Sequence, residues 1–355
     1  AVLAAGLITL GRTIPTIVSS FKESMKDFGS VAGGAGQART DRDLPLRLVL
    51  FGSLALAVFL VFAPGTPTQG NALSAILIVL FGFFFVTVSS RITGLIGNSS
   101  NPISGMTIAT LILTCTIFVG VGWVGDTYAP IALGVGAVVC IAAAIGGATS
   151  QDLKTGFIVG ATPSSQQIGL VIGVVTSAFV IGITTLYLHQ VMTIGSGSLP
   201  APQATLMSTI IRGLLSQNLP WGLVLVGVFI SVTLELCGIR SLSFAVGSYL
   251  PIQTTAPIFV GGIVRWWVER KTGQRDESEI SSGTLFSSGL IAGGSLAGIL
   301  YAALYGNNLL PAADDAETLG LIPFLHEGTV GLVAGGLLFA ALAIIVSRMG
   351  MRTLK

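Results

Sequence analysis

Nine apolar windows, each long enough to cross a hydrocarbon layer as a helix, leave this 355-residue chain few ways to fold. They run Ala1 to Ser19, Leu44 to Ala63, Ala72 to Val88, Met106 to Val124, Ile131 to Ala148, Ile168 to Leu188, Trp221 to Ile239, Leu285 to Tyr305 and Thr329 to Val346. A hydrocarbon core of about 30 Å needs roughly 20 such residues in helical form. Inside it every backbone N–H and C=O must be satisfied internally, which admits only helices and closed barrels. The runs are continuous and rich in Leu, Ala, Val and Ile, without the two-residue alternation of barrel strands. An all-α polytopic membrane bundle of about nine or ten spans is expected, as one membrane domain over residues 1–355. Composition agrees: 9% of residues are charged, against about 25% in a soluble domain.

Charge then sets the expected orientation. Lys and Arg concentrate in cytoplasmic loops, and Lys22, Lys26, Arg39, Arg42 and Arg47 cluster around the loop from Ser20 to Pro45. Counting from that loop places Arg91, Lys154 and Arg240 inside and leaves the outer loops without Lys or Arg. Leu242 to Val264 breaks the count, because the run "RWWVERKTGQR" after it is the most basic in the chain. Pro251 and Pro257, bracketing Gln253, Thr254 and Thr255, suggest a hairpin that enters and leaves on one side. With it, Arg348, Arg352 and Lys355 end in the cytoplasm of a cell-membrane protein. Gln203 to Gln217 is too short and polar to span and reads as an interfacial or re-entrant helix.

A net charge of +2 gives no basic surface that would suit nucleic acid. Cys115, Cys140 and Cys237 lie in apolar windows without metal-ligand spacing and read as buried small hydrophobes. No metal site and no cofactor is expected.

Polar interruptions point to function, because non-helical backbone at membrane depth is tolerated only where it is buried in protein or lines a cavity. Three qualify: Ser89 to Gly105, Gln151 to Gln167 and Ser248 to Ala256. Asn98, Ser99, Ser100, Asn101, Pro102 and Gly105 form a candidate substrate lining in the first, with an ordinary loop as the alternative. Gln166 and Gln167 are candidates in the second, and Tyr249, Pro251, Gln253, Thr254 and Thr255 in the third. A weak repeat spans residues 71–154 and 221–348, in which Arg91 and Arg240 each precede a proline, Pro102 or Pro251, by eleven positions.

Intramembrane charge is the second pointer, since an ionisable group in hydrocarbon is costly. Glu235 is the candidate for proton coupling, with a structural ion pair to Arg240 or Arg91 as the alternative. Arg12 suits a buried structural pair or an anionic substrate group, and Asp152 and Lys154 suit pairing at the interface.

The stretches "GNSSNPISGMT", "DLKTGFIVGATPSSQQIG", "YLPIQTTAPIFVGG" and "SSGLIAGG" resemble the motifs of the oligopeptide transporter (OPT) family, in its prokaryotic branch. The resemblance runs from about Leu44 to the C-terminus. It implies a secondary transporter, coupled to protons, for small peptides or, as in the yellow stripe-like relatives, metal chelates. It also implies motif roles for Asn98, Ser99, Asn101, Pro102, Gly105, Asp152, Lys154, Pro163, Gln166, Gln167, Tyr249, Pro251 and Pro257. Ser164-Ser165 and Gly294 stand where the family often carries charge, which puts a charge-based step there in doubt. Family members are longer, so the chain is expected to be the C-terminal part of a transporter or one half of a split one, with the N-terminal remainder or a partner half, the bilayer, protons and a small-molecule substrate as its partners. A homo-oligomer stays open. The rivals are a channel and a membrane-embedded enzyme, although no HExxH or GxSxG motif is present.

Overall fold

The computed structural model describes residues 38–98, 101–196, 199–216, 221–239, 241–273, 281–307 and 328–352, with Pro15, Val18, Ser19 and Leu309. Eleven α-helices account for nearly all of these, and no strand occurs among the described residues. They are α1 (Leu46–Phe62), α2 (Ala72–Ile96), α3 (Ile103–Gly120), α4 (Ala129–Val159), α5 (Pro163–Met192), α6 (Pro202–Leu215), α7 (Trp221–Leu236), α8 (Ser241–Tyr249), α9 (Ile252–Thr272), α10 (Ser282–Gly306) and α11 (Gly328–Gly350). Six of them, α2 to α5, α10 and α11, are long and apolar enough to cross a membrane, and α1 and α7 are shorter apolar helices. The chain is a helical, multi-pass membrane protein. Eight of the nine expected windows fall on these helices. Ala1 to Ser19 lies almost wholly outside the described residues, as do Arg12 and the acidic group Asp314, Asp315, Glu317 and Glu327.

The chain forms two compact units, one of residues 1–181 and 201–248, the other of residues 182–200 and 249–355. In the first, α2 and α4 lie side by side and run the same way: Ser89 meets Ala143, Ser90 meets Gly146, and Gly94 faces Ser150. Lipid tails are as apolar as leucine, so such helices are held by close packing and interhelical hydrogen bonds rather than by a hydrophobic force. The sequence supplies both through small residues at helical spacing. Ala143, Gly146, Gly147 and Ser150 on α4 face Ser89, Ser90, Thr93 and Gly94 on α2. The fit leaves no spare volume, since a Cβ on Gly147 would lie 2.6 Å from both Ser89 Oγ and Asn101 Nδ2 and 2.8 Å from Thr93 Oγ1.

Further along, the core of this unit is apolar. Leu111, Cys115 and Phe118 of α3, Ile131 and Val135 of α4, and Met207, Ile211 and Leu215 of α6 are buried together. Trp123 and Tyr128 stack at 5.5 Å between centroids and meet Phe118 edge-on, closing the α3–α4 turn. The stretch Gln203 to Gln217, expected as an interfacial or re-entrant helix, forms the short helix α6 at Pro202–Leu215. Met207, Ile210, Ile211 and Leu215 repeat at helical spacing and bury one face of α6 in this core.

The second unit packs α9 and α10 against α11. Val268, Gly283 and Gly350 meet where the C-terminal ends of α9 and α11 reach the start of α10, and Ser282 Oγ donates to Arg352 O at 2.7 Å. Tyr187 Oη, near the end of α5, donates to Ala303 O at 3.2 Å.

The three interruptions are shorter than expected. Helix α2 continues through Ser89 to Ile96, leaving a break of Gly97 to Pro102. Helix α4 runs to Val159 and α5 starts at Pro163, so the second break is Gly160 to Thr162. In the third, α8 reaches Tyr249 and α9 starts at Ile252, which puts Gln253 to Thr255 in the first turn of α9 and Pro257 inside it. Serine and threonine hydroxyls can bond their own or a neighbouring helix's carbonyls, so polar composition alone does not open a helix. Cys237 corrects a further expectation: it lies one residue beyond α7 and is exposed, whereas Cys115 is buried.

Two consequences are measurable. Replacing Gly147 by Ala should destabilise the protein by about 1–3 kcal/mol through overpacking, seen as a lower Tm in detergent. Gly173→Ala, with nothing within 4 Å of the added Cβ, should leave Tm unchanged or slightly raised. Ile211→Ala should cost about 2–4 kcal/mol, whereas Thr209→Ala on the exposed face of α6 should be neutral; equal effects would mean that α6 does not pack as described.

Candidate functional site

The break between α2 and α3 is built by two residues that cannot continue a helix. Gly97 ends α2 with φ of 112°, a conformation open to glycine, and its N–H still reaches Thr93 O at 2.9 Å. Pro102 has no N–H to give and stands as the N-cap of α3. Between them the Asn101 N–H closes a turn onto Asn98 O at 3.2 Å. The Asn98 N–H is held in turn by Gln151 Oε1 of α4 at 3.1 Å.

That turn sends the Asn101 side chain back onto the seam. Its Nδ2 donates to Ser89 Oγ at 2.7 Å, and Ser89 Oγ donates to Ala143 O at 2.5 Å, a relay from the break through α2 to α4. Beside the relay, Asn101 Oδ1 and Thr93 Oγ1 are buried without a hydrogen-bond partner. Thr93 is 2% exposed and Ser89 fully buried. A buried polar group left unpaired costs about 1–3 kcal/mol. Ser74 Oγ, Thr114 Oγ1 and Gln166 Oε1 in this unit are likewise buried without a partner; what distinguishes Asn101 Oδ1 and Thr93 Oγ1 is that both belong to residues bordering Gly147 beside a helix break.

Depth follows from helix length. From Ala129 to Gly147 is about 27 Å along α4 at 1.5 Å per residue, nearly the full hydrocarbon thickness. The Asn101 cluster thus lies far along α4 from Ala129 and about 10 Å before Lys154 on the same axis. Gly160 is about 20 Å further along the same axis.

At that far end α4 stops in a left-handed cap, Gly160 with φ of 74°. The segment before α1 is strapped across the turn: Arg39 donates to Thr162 Oγ1 at 3.1 Å and to Gly160 O at 2.8 Å, and Ser164 N–H donates to Arg42 O at 2.9 Å. Gln167 completes the strap, accepting from Leu44 N–H at 3.0 Å and donating to Asp43 Oδ1 at 3.2 Å. Gln166 turns the other way, donating to Asp152 O at 3.1 Å and lying against Gly156. Both glutamines thus tie backbone elements together.

Asp152 and Lys154 do not pair with each other. Positions two apart on a helix point away from each other, and Lys154 Nζ instead donates to Gly94 O at 2.7 Å, bridging α4 to α2. Glu235, in the last turn of α7, uses Oε1 to accept from Ser241 N at 3.0 Å and Ser241 Oγ at 2.7 Å. A carboxylate there satisfies donors at the start of α8 and meets its positive dipole end.

Of the remaining candidates, Gly105 is buried in α3 and Arg91 sits half-buried in α2. Pro251 is the N-cap of α9, and Thr255 folds its hydroxyl back towards Pro251 O and Ile252 O at 3.5 and 3.4 Å. Ser99, Ser100 and Arg240, and the side chains of Tyr249, Gln253 and Thr254, lie outside the described residues. The structure therefore gathers Asn98, Asn101 and Pro102 with Ser89, Thr93, Gly147 and Gln151, which had not been singled out. The signal that could have found them is the matching four-residue spacing, Ser89 with Thr93 and Ala143 with Gly147.

The chain matches the family model described as "OPT oligopeptide transporter protein" over residues 1–305. It is 30% identical over 369 residues to a Haemophilus influenzae protein named "Putative oligopeptide transporter", an alignment covering 86% of this chain and 58% of that protein. The chain thus spans little more than half the length of this curated relative. No solved structure is significantly similar to it. Family model and relative agree with the four motifs, of which "GNSSNPISGMT" forms the Asn101 break: the chain belongs to the OPT oligopeptide transporter family.

Proposed function

We propose that this chain is part of a secondary transporter that moves small oligopeptides across the cell membrane by alternating access, coupled to protons, with its C-terminus in the cytoplasm. Family membership and the relative's name support the peptide substrate. The observation that carries the site is the pair of buried, unpartnered oxygens, Asn101 Oδ1 and Thr93 Oγ1, at a helix break. A peptide offers N–H donors and an ammonium group, the partners such oxygens lack, once the closed seam around them opens to admit it.

Glu235 is proposed as the proton acceptor. Its carboxylate holds both donors of Ser241, so protonation would loosen the junction of α7 and α8 and connect proton binding to the position of a helix. An N-terminal remainder or partner half would complete the pathway.

The proposal is tested by uptake into proteoliposomes under an inside-alkaline pH gradient, comparing labelled tripeptide with an iron chelate. Tripeptide should accumulate and the chelate should not; the reverse result would reassign the substrate to the metal-chelate class. Asn101→Ala should cut tripeptide uptake at least about tenfold, the scale of about 1.4 kcal/mol, with Tm little changed. Glu235→Gln should abolish gradient-driven accumulation while exchange of tripeptide persists. Loss of both activities would make Glu235 structural, and loss of neither would remove it from the mechanism.

A further inference from the structure

The basic run after Pro257 is not used by the reading above, and its geometry is specific. Arg270 lies over the Trp266 ring at 5.4 Å from its centroid, and Lys271 over Trp267 at 4.8 Å. Both are pairs four apart on α9, so two tryptophan–cation stacks stand side by side on neighbouring faces. Val268 points towards Gly350 of α11, which turns Trp266 and Arg270 to the opposite side of α9, away from the packing. All four side chains are exposed. Arg265 is taken up differently, donating to Glu269 Oε1 at 2.7 Å.

The stacks also follow an exposed apolar stretch. Ile258, Phe259 and Ile263 precede them and are exposed along the apolar length of α9, and Lys271 is followed by the helix's left-handed cap at Gly273. Tryptophan favours the headgroup level of a bilayer, so the two rings set the boundary and hold the cations at the level of lipid phosphates. Arg348 in the last turn of α11 and Arg352 just beyond it, both exposed at the same end of this unit, add to the positive potential. Clusters of Lys and Arg beside a membrane helix attract anionic lipid.

We propose that Trp266, Trp267, Arg270 and Lys271 form a binding site for the headgroup of an anionic phospholipid. Arg270 and Lys271 bind its phosphate, each held in place by the ring beneath it, while Ile263 and the ring edges receive the acyl chains. A stacked cation has already given up much of its rotamer freedom, so less is lost when the phosphate binds.

The test reconstitutes the whole protein in nanodiscs of equal phosphatidylglycerol and phosphatidylcholine and measures, by native mass spectrometry, the lipids it keeps. Phosphatidylglycerol should be enriched several-fold over the bulk ratio. Arg270→Gln with Lys271→Gln should remove most of that enrichment, and Arg270→Lys with Lys271→Arg should keep it. Arg42→Gln with Arg47→Gln, which removes the same charge from the other unit, should also keep it. No enrichment in the unaltered protein, or equal loss in the two charge-neutralised variants, would overturn the site. Tripeptide uptake in the same variants is a separate readout, so this proposal can fail while the transport reading stands.

Discussion

In hydrocarbon a backbone amide has no water to fall back on, and the rest of this structure depends on how that constraint is met between α2 and α4. Helices alone satisfy the backbone, but nothing in lipid pushes two helices together. What holds these two is near-contact of their backbones, achieved by placing Ala143, Gly146, Gly147 and Ser150 opposite Ser89, Ser90, Thr93 and Gly94. Hydroxyl-to-carbonyl bonds then link the helices. Each is worth only about 0.6 kcal/mol on average in a membrane, so their effect is to fix register more than to supply stability. The Asn101 turn can fold back onto Ser89 because the backbones are this close.

Much of the fold was legible because the constraint acts on composition. Windows of roughly 20 apolar residues can be little else than helices, and eight such windows are helices here. What misled was the weight given to polar residues. Thr107, Thr110 and Thr116 each return a hydroxyl bond to the carbonyl four residues back. Ser89 and Ser90 spend theirs on α4. A stretch such as 89–96 therefore reads as an interruption in sequence and is an ordinary pair of helical turns in space. The true stops are Gly97 with Pro102, Gly160 with Pro163, and Pro251, where backbone geometry rather than polarity intervenes.

The site was legible in part for the same reason. Asn101 stood out because it is an amide next to a helix-stopping proline. Thr93 and Gly147 did not, since their significance is their mutual distance across two helices 54 residues apart in sequence. Glu235 shows the converse. Its position near the end of an apolar window suggested proton chemistry, yet its immediate task is receiving Ser241 at the start of the next helix, which composition does not announce. The two readings are compatible, because a carboxylate that organises a junction is also one whose titration can disturb it.

Helix α4 has 31 residues, about 46 Å at 1.5 Å per residue, well beyond the apolar layer it crosses. If the helix tilts about the glycine seam, its C-terminal portion acts as a lever arm. From Gly147 to Val159 the arm is about 18 Å, and a tilt of about 10° would carry its tip roughly 3 Å sideways. Arg39 and Gln167 fasten the approach to α1 and the first turn of α5 near that tip. A small angular change where the bundle is tightest would therefore be passed on, as a larger displacement, to two further helices that do not touch the seam.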